Sequence, residues 1–220
     1  MAAVTDSWIE DNYQLIDNGF AKTILKNHHH DDWEFIKQAL FEFKLYESDI
    51  KTDGGNKTKI ARRLEIPYKL HGWRERNFYF ETNLFDEDTN NVLHTSTSTS
   101  HKIDAVKDKI AIEFEWNNKD TFFARDLSVL GRLHSNGVID LGIIITRSSD
   151  LKTLFDSLGT YTNHKGETKS VKSKYGESTT HTNSVEKLIK SGTAGGCPIL
   201  VIGINENVFV DNGEILTDKR

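Results

Sequence analysis

The segment Ile110-Ala111-Ile112-Glu113-Phe114-Glu115-Trp116 decides how this chain folds. A β-strand turns successive side chains to opposite faces. Ile110, Ile112, Phe114 and Trp116 then share one wholly apolar face, and Ala111, Glu113 and Glu115 share the other. The apolar face belongs in a core, and a one-residue slip would bury the carboxylates in its place, so the register is specified. Two carboxylates project together, with a small alanine leaving room beside them. Asp104 lies nine residues before Glu113, across a polar turn containing Lys107 and Asp108. It can return beside the strand and complete a triad.

Outward from this strand (109–116), Phe123, Leu127, Leu130 and His134 recur at helical spacing, which predicts a helix over 121–134. The runs VIDLGIIIT (138–146) and PILVIGI (198–204) are nearly continuous apolar sequence, as expected for strands covered on both faces. Short helices are predicted at 152–158 and 184–190. Alternating strands and helices imply an α/β fold, a mixed central β-sheet flanked by helices. In the N-terminal third, Trp33, Ile36, Leu40 and Phe43 predict a helix over about 31–47, with Asp31 or Asp32 as cap. After the turn Asp53-Gly54-Gly55-Asn56, a second helix is expected over about 57–70, kinked or shortened by Pro67. A strand is expected over 77–84. The polar stretches 86–100, with its Thr95–Ser100 tract, and 159–182, with Lys165, Lys169, Lys172 and Lys174, read as surface loops.

The chain's 220 residues suit one compact domain over 1–220. Its one cysteine, Cys197, has no internal partner and opens an apolar run, so a buried thiol and a reducing compartment are expected. No stretch approaches the roughly 20 apolar residues of a membrane helix. The acidic N-terminus lacks the basic start and apolar core of a signal peptide, so a cytoplasmic location is expected. A net charge of -5 does not advertise nucleic-acid binding, yet it is the local patch that meets phosphate. No P-loop, dinucleotide fingerprint or serine elbow is present. The run His28-His29-His30-Asp31-Asp32 is a poor metal site, because consecutive side chains diverge. His71, His94, His101 and His134 lack a zinc spacing.

Three convergent oxygen donors suit a hard cation such as Mg²⁺. Such an ion polarises a phosphodiester and activates water, while a neighbouring carboxylate takes the proton. Spacing alone leaves open a second reading, in which Glu113 and Glu115 lie on the solvent face of an edge strand and Asp104 in a turn.

The residues from Asp104 to Leu151 resemble the catalytic region of the BamHI, BglII and BstYI group of type II restriction endonucleases, members of the PD-(D/E)XK superfamily. The resemblance is carried by Asp104 to Glu115, Phe122 to Leu127, and Gly137-Val138-Ile139-Asp140 to Ile145. Pro198 to Ile204 is similar to the group's last core strand, and Gly72-Trp73-Arg74-Glu75 to a shared tryptophan motif. Together these cover roughly half the chain, and the resemblance implies that the mixed central sheet is restriction-endonuclease-like. The resemblance implies Mg²⁺-dependent hydrolysis of double-stranded DNA at a short palindromic site, with Mn²⁺ able to substitute. It further implies a homodimer, and a cognate methyltransferase in the same system. Asp104 and Glu113, with the Phe114 carbonyl, would hold the metal, and Glu75 would be an accessory acid near it. Glu115 stands where most of the superfamily has lysine and where the BglII and BstYI types have glutamine. It matches the BamHI pattern and can accept a proton from water.

Asn117, Asn118 and Lys119 follow the catalytic strand directly, at the junction that lies along the DNA major groove in the resembled group. Asparagine can make a bidentate contact to adenine. Arg125 is a candidate for phosphate or guanine. Lys57, Lys59, Arg62 and Arg63 form a basic cluster that could track phosphates, or simply a solvated helix face. Two other readings stay open: a repair or structure-selective nuclease of the same superfamily, and an inactive DNA-binding protein of the same fold.

Overall fold

The computed structural model describes residues 3–53 and 58–211. The chain runs through α1 (Asp6–Asn12), β1 (Tyr13–Asn18), α2 (Ala21–His28), α3 (His30–Glu42), β2 (Leu45–Tyr46), α4 (Glu47–Ile50) and α5 (Lys59–Leu70). Next come β3 (Arg74–Phe78), β4 (Glu81–Phe85), β5 (Val92–Thr97), β6 (His101–Lys107), β7 (Ile110–Glu115), α6 (Thr121–Ser135) and β8 (Leu141–Arg147). It ends with α7 (Leu151–Ser157), β9 (Thr160–Thr162), β10 (Thr168–Ser170), α8 (Val171–Lys174), α9 (Thr182–Lys190), β11 (Ile199–Ile204) and β12 (Phe209–Val210).

Six strands form a mixed sheet in the order β1-β11-β8-β7-β6-β3. β11, β8 and β7 are parallel, and the strands outside them are antiparallel. Parallel neighbours need long crossovers. α6 makes the one from β7 to β8, and the segment holding α7, α8 and α9 makes the one from β8 to β11. β7, β8 and β11 are buried along their whole length, which is why β8 and β11 read as nearly unbroken apolar runs.

The sheet separates two cores. Ile110, Ile112, Phe114 and Trp116 join Ile143, Ile145 and Ile202 with α3, α5 and α7 on one side. Ala111, Ile144 and Val201 join Phe123, Leu127 and Leu130 of α6 and Val185 of α9 on the other. Gly142 allows α6 to sit this close: a Cβ there would stand 2.8 Å from Leu130 Cδ1 and 2.9 Å from Ile199 Cδ1. β7 is therefore an interior strand, and the edge-strand reading of Glu113 and Glu115 falls.

Several expectations need correction. The helix expected to 47 ends at Glu42, and β2 and α4 follow. α5 begins at Lys59, capped by Thr58 Oγ1, which accepts from the Ala61 amide at 3.1 Å, and ends at Leu70 as expected. Lys57 lies outside the described residues. The single strand over 77–84 is two, β3 and β4, parted at Tyr79-Phe80. The stretch 86–100 is not a loop throughout, because Val92–Thr97 pairs with Glu81–Phe85 as an antiparallel hairpin. All its side chains are exposed, so no apolar alternation marks it. The stretch 159–182 is likewise structured. β9 and β10 form a hairpin, and Val171 and Tyr175 are buried anchors four residues apart. Cys197 is buried as expected, and burial pushes its thiol up to about 12. Among the described residues no helix is long and apolar enough to cross a membrane.

Candidate active site

β6 pairs with β7 so that Ala105 opposes Ile112, which brings Asp104 beside Glu113. The two are laced together. The Asp104 amide donates to Glu113 Oε2 at 3.2 Å, and the Phe114 amide donates to Asp104 Oδ2 at 3.1 Å. Glu115, two residues on, faces the same way, and its Oε2 accepts from Asn118 Nδ2 at 2.6 Å. All three carboxylates open into one cleft of about 490 Å³, whose wall includes Asn77, His101, Lys102, Phe114, Asn118 and Arg125.

The same side of the sheet is covered by α6, and its first turns meet the carboxylates. Asp126 is only 1% exposed, and its charge beside Glu115 makes the two carboxyl groups compete to stay ionised. His101 Nε2 lies 3.5 Å from Glu113 Oε1 and 3.6 Å from Asp126 Oδ1. Arg125 reaches Asp126 Oδ1 at 3.3 Å and stacks on Phe122 at 4.7 Å.

Crowding carboxylates in a desolvated place disfavours their charged forms. Burial, then Asp126 and Asp104, raise Glu113 well above its ordinary value. Burial and Asp126 raise Glu115 from 4.5 to about 8. Burial raises Asp126 to about 6 against the pull of Arg125. Burial and Arg125 lower His101. A divalent cation would relieve this repulsion, and the buried, unpartnered Glu113 Oε1 fits the need for one. The hard oxygen donors of Asp104 and Glu113 suit Mg²⁺.

The segment after β7 is stitched to the end of the 159–182 stretch. The Asn118 amide donates to Thr180 Oγ1 at 3.1 Å, Thr180 N donates to Asn118 O at 2.8 Å, and Lys119 bridges to Thr179. Arg147, buried at the end of β8, donates to Gly176 O at 3.0 Å and Thr179 Oγ1 at 2.8 Å, fixing that segment from behind. Asn117 adopts φ 58°, a left-handed turn asparagine tolerates, and its Oδ1 is buried. Lys119 is exposed.

The match covers both edges of the sheet: the family model described as restriction endonuclease BglII/BglIII matches residues 13–204, from the first residue of β1 to the last of β11. The chain belongs to this family. It is a type II restriction endonuclease, a hydrolase that binds DNA and cleaves it site-specifically. Comparison with curated proteins finds no match.

Within the endonuclease, the structure brings Asp104, Glu113, Glu115, Asn118 and Arg125 to one cleft and leaves other sequence candidates outside it. Glu75 is exposed on β3, paired with Lys102 at 2.9 Å, and does not line the cleft, whereas Asn77 does. Lys59 is exposed at the start of α5, whose Thr58 and Ala61 reach the cleft wall. Arg63 turns away to Asp49 at 2.7 Å and stacks on Tyr46. His29 bonds to Asp140 at 3.0 Å. Asp126, His101 and Thr180 escape the sequence reading. Asp126 alone left a trace: it falls in the buried stripe of Phe123, Leu127 and Leu130, where a lone carboxylate needs a reason.

Proposed function

We propose that this endonuclease cleaves a short palindromic duplex site in a Mg²⁺-dependent reaction, with Asp104, Glu113 and the Phe114 carbonyl as metal ligands. Mn²⁺ can replace Mg²⁺. The observation that carries this is the convergence of Asp104, Glu113 and Glu115 in one cleft, with their negative charge concentrated where a cation would relieve it. When bound, the ion supplies a polarised phosphodiester and a more acidic water.

The chain's own residues do the rest. Glu115 accepts the proton of the attacking water, and its raised affinity for protons suits a base working near neutral pH. The Asn118 carboxamide holds Glu115 in place. Asn118 and Arg125, on the cleft wall, approach base edges or phosphate, and Lys119 and Lys59, with Lys57 outside the described residues, supply phosphate contacts. Asn117 shapes the turn that presents them. The chain acts as one endonuclease domain and pairs as a homodimer, whose two-fold axis matches that of the site. A methyltransferase of matching specificity protects the host's own copies of the site.

Digestion of a DNA of known sequence, with end sequencing, tests the proposal. Discrete fragments with ends related by a two-fold axis, formed with Mg²⁺ and absent in chelator, are expected. Fragmentation without defined ends, or unaffected by chelator, would overturn it.

A further inference from the structure

Glu113 faces two ways. Its Oε2 accepts from the Asp104 amide, while Oε1 turns toward α6 and the far wall of the cleft. There it meets His101 Nε2 at 3.5 Å, and that nitrogen lies 3.6 Å from Asp126 Oδ1. Ligand atoms of all three residues lie within 4.8 Å of one another. The separations around His101 are too long for hydrogen bonds. They are the spacing of donors around a shared ion: two ligands at about 2.1 Å, spread tetrahedrally, stand roughly 3.4 Å apart.

The cluster also lacks the partners a purely structural network would have. His101 Nε2, Glu113 Oε1 and Asp126 Oδ2 are buried without hydrogen-bond partners among the described residues. Asp126 is 1% exposed and Glu113 3%. Native proteins seldom leave buried polar atoms this way, and each such atom asks for an ion or water. Arg125 offsets part of the charge through Asp126 Oδ1, but Oδ2 remains unserved.

We propose that His101, Glu113 and Asp126 form a second cation site, which takes a borderline transition ion such as Co²⁺ or Zn²⁺ in preference to Mg²⁺. The imidazole sets the preference: nitrogen suits Zn²⁺ and its neighbours, whereas Mg²⁺ favours oxygen and retained water. The site rests on the reading of Glu113 given above and extends it, because this carboxylate would bridge two ions. Each of its oxygens serves one neighbour, Asp104 on one side and His101 with Asp126 on the other.

Co²⁺ titrated into the metal-free full-length enzyme, followed by its visible absorption, is the test. His28, His29 and His30 offer other nitrogen donors, so the readout is the difference between wild type and variants. His101→Ala and Asp126→Asn should each lose one Co²⁺ equivalent, or bind it at least tenfold more weakly, with saturating Mg²⁺ present. His101→Asn serves where the alanine variant misfolds, and thermal melting identifies that case. Asp104→Asn should keep the Co²⁺ band and lose Mg²⁺-dependent cleavage. Unchanged Co²⁺ binding in folded His101 and Asp126 variants would overturn the second site while leaving the catalytic assignment standing. Wild-type cleavage by Asp104→Asn, with the His101-dependent band intact, would instead overturn the catalytic assignment alone.

Discussion

β7 and the β4–β5 hairpin both carry polar side chains, yet one buries two carboxylates and the other leaves every side chain exposed. In β7 the polar residues alternate with Ile110, Ile112 and Phe114, so the apolar face drags Glu113 and Glu115 inside with it. In the hairpin, Leu84, Phe85, Val92 and Leu93 are all more than half exposed, and its order rests on backbone pairing and contacts such as Thr95 Oγ1 to Asn83 Oδ1. A charged side chain becomes reactive when packing forces it out of water. The same chemistry on a solvated ribbon stays ordinary.

The sharpest way to break this comparison is at Glu115. Glu115→Lys reverses the charge in the cleft, so it should abolish cleavage yet retain DNA binding. Glu115→Gln keeps the shape without the basicity and should slow single-turnover cleavage by about a hundredfold, in the range of a lost general base. Full activity in the lysine variant would show that a carboxylate is not needed there.

Asn118→Ala should weaken cognate binding by roughly 1–3 kcal/mol relative to random DNA if a base contact is lost. It also frees Glu115, so cleavage of bound DNA should slow as well. Equal losses on cognate and random duplexes would confine Asn118 to holding Glu115.

A pH series probes the buried charge directly. Glu115 rises from 4.5 in the unfolded chain to about 8 in the fold, so over that window the folded protein holds a proton that the unfolded chain has released. Metal-free stability should therefore fall as pH rises from about 4.5 to about 8. Glu115→Gln should flatten the melting curve over this range, and Ca²⁺ should stabilise wild type most at the alkaline end. A melting temperature with the same pH slope in both proteins would contradict the assignment. The hairpin offers the small counterpart: Thr95→Ala should change stability by less than about 0.5 kcal/mol, as exposed positions do. A larger loss in denaturant melts would mean the ribbon is packed in solution.

What the sequence disclosed follows the same division. β7, β8, β11 and α6 could be read because burial imposes a period on them, and Asp104, Glu113 and Glu115 came with that register. The hairpin and the 159–182 segment could not, because backbone pairing leaves no side-chain period and two anchors, Val171 and Tyr175, suffice for the latter. His101 and Asp126 reach the site through pairings distant in sequence, which no local spacing encodes. Glu75 looked like a site residue because of its neighbour Trp73. That tryptophan is instead core, packed edge-on to Tyr68, and Glu75 points to Lys102.

The account stands on Glu113, a carboxylate buried among Asp104, Glu115 and Asp126. Single-turnover cleavage of a cognate duplex by wild type and Glu113→Ala, at matched DNA occupancy established in Ca²⁺, measures that claim most directly. The variant should bind the duplex as well as wild type or better, because a repelling charge is gone, and should give no product with Mg²⁺. Cleavage by Glu113→Ala at the wild-type rate would contradict it.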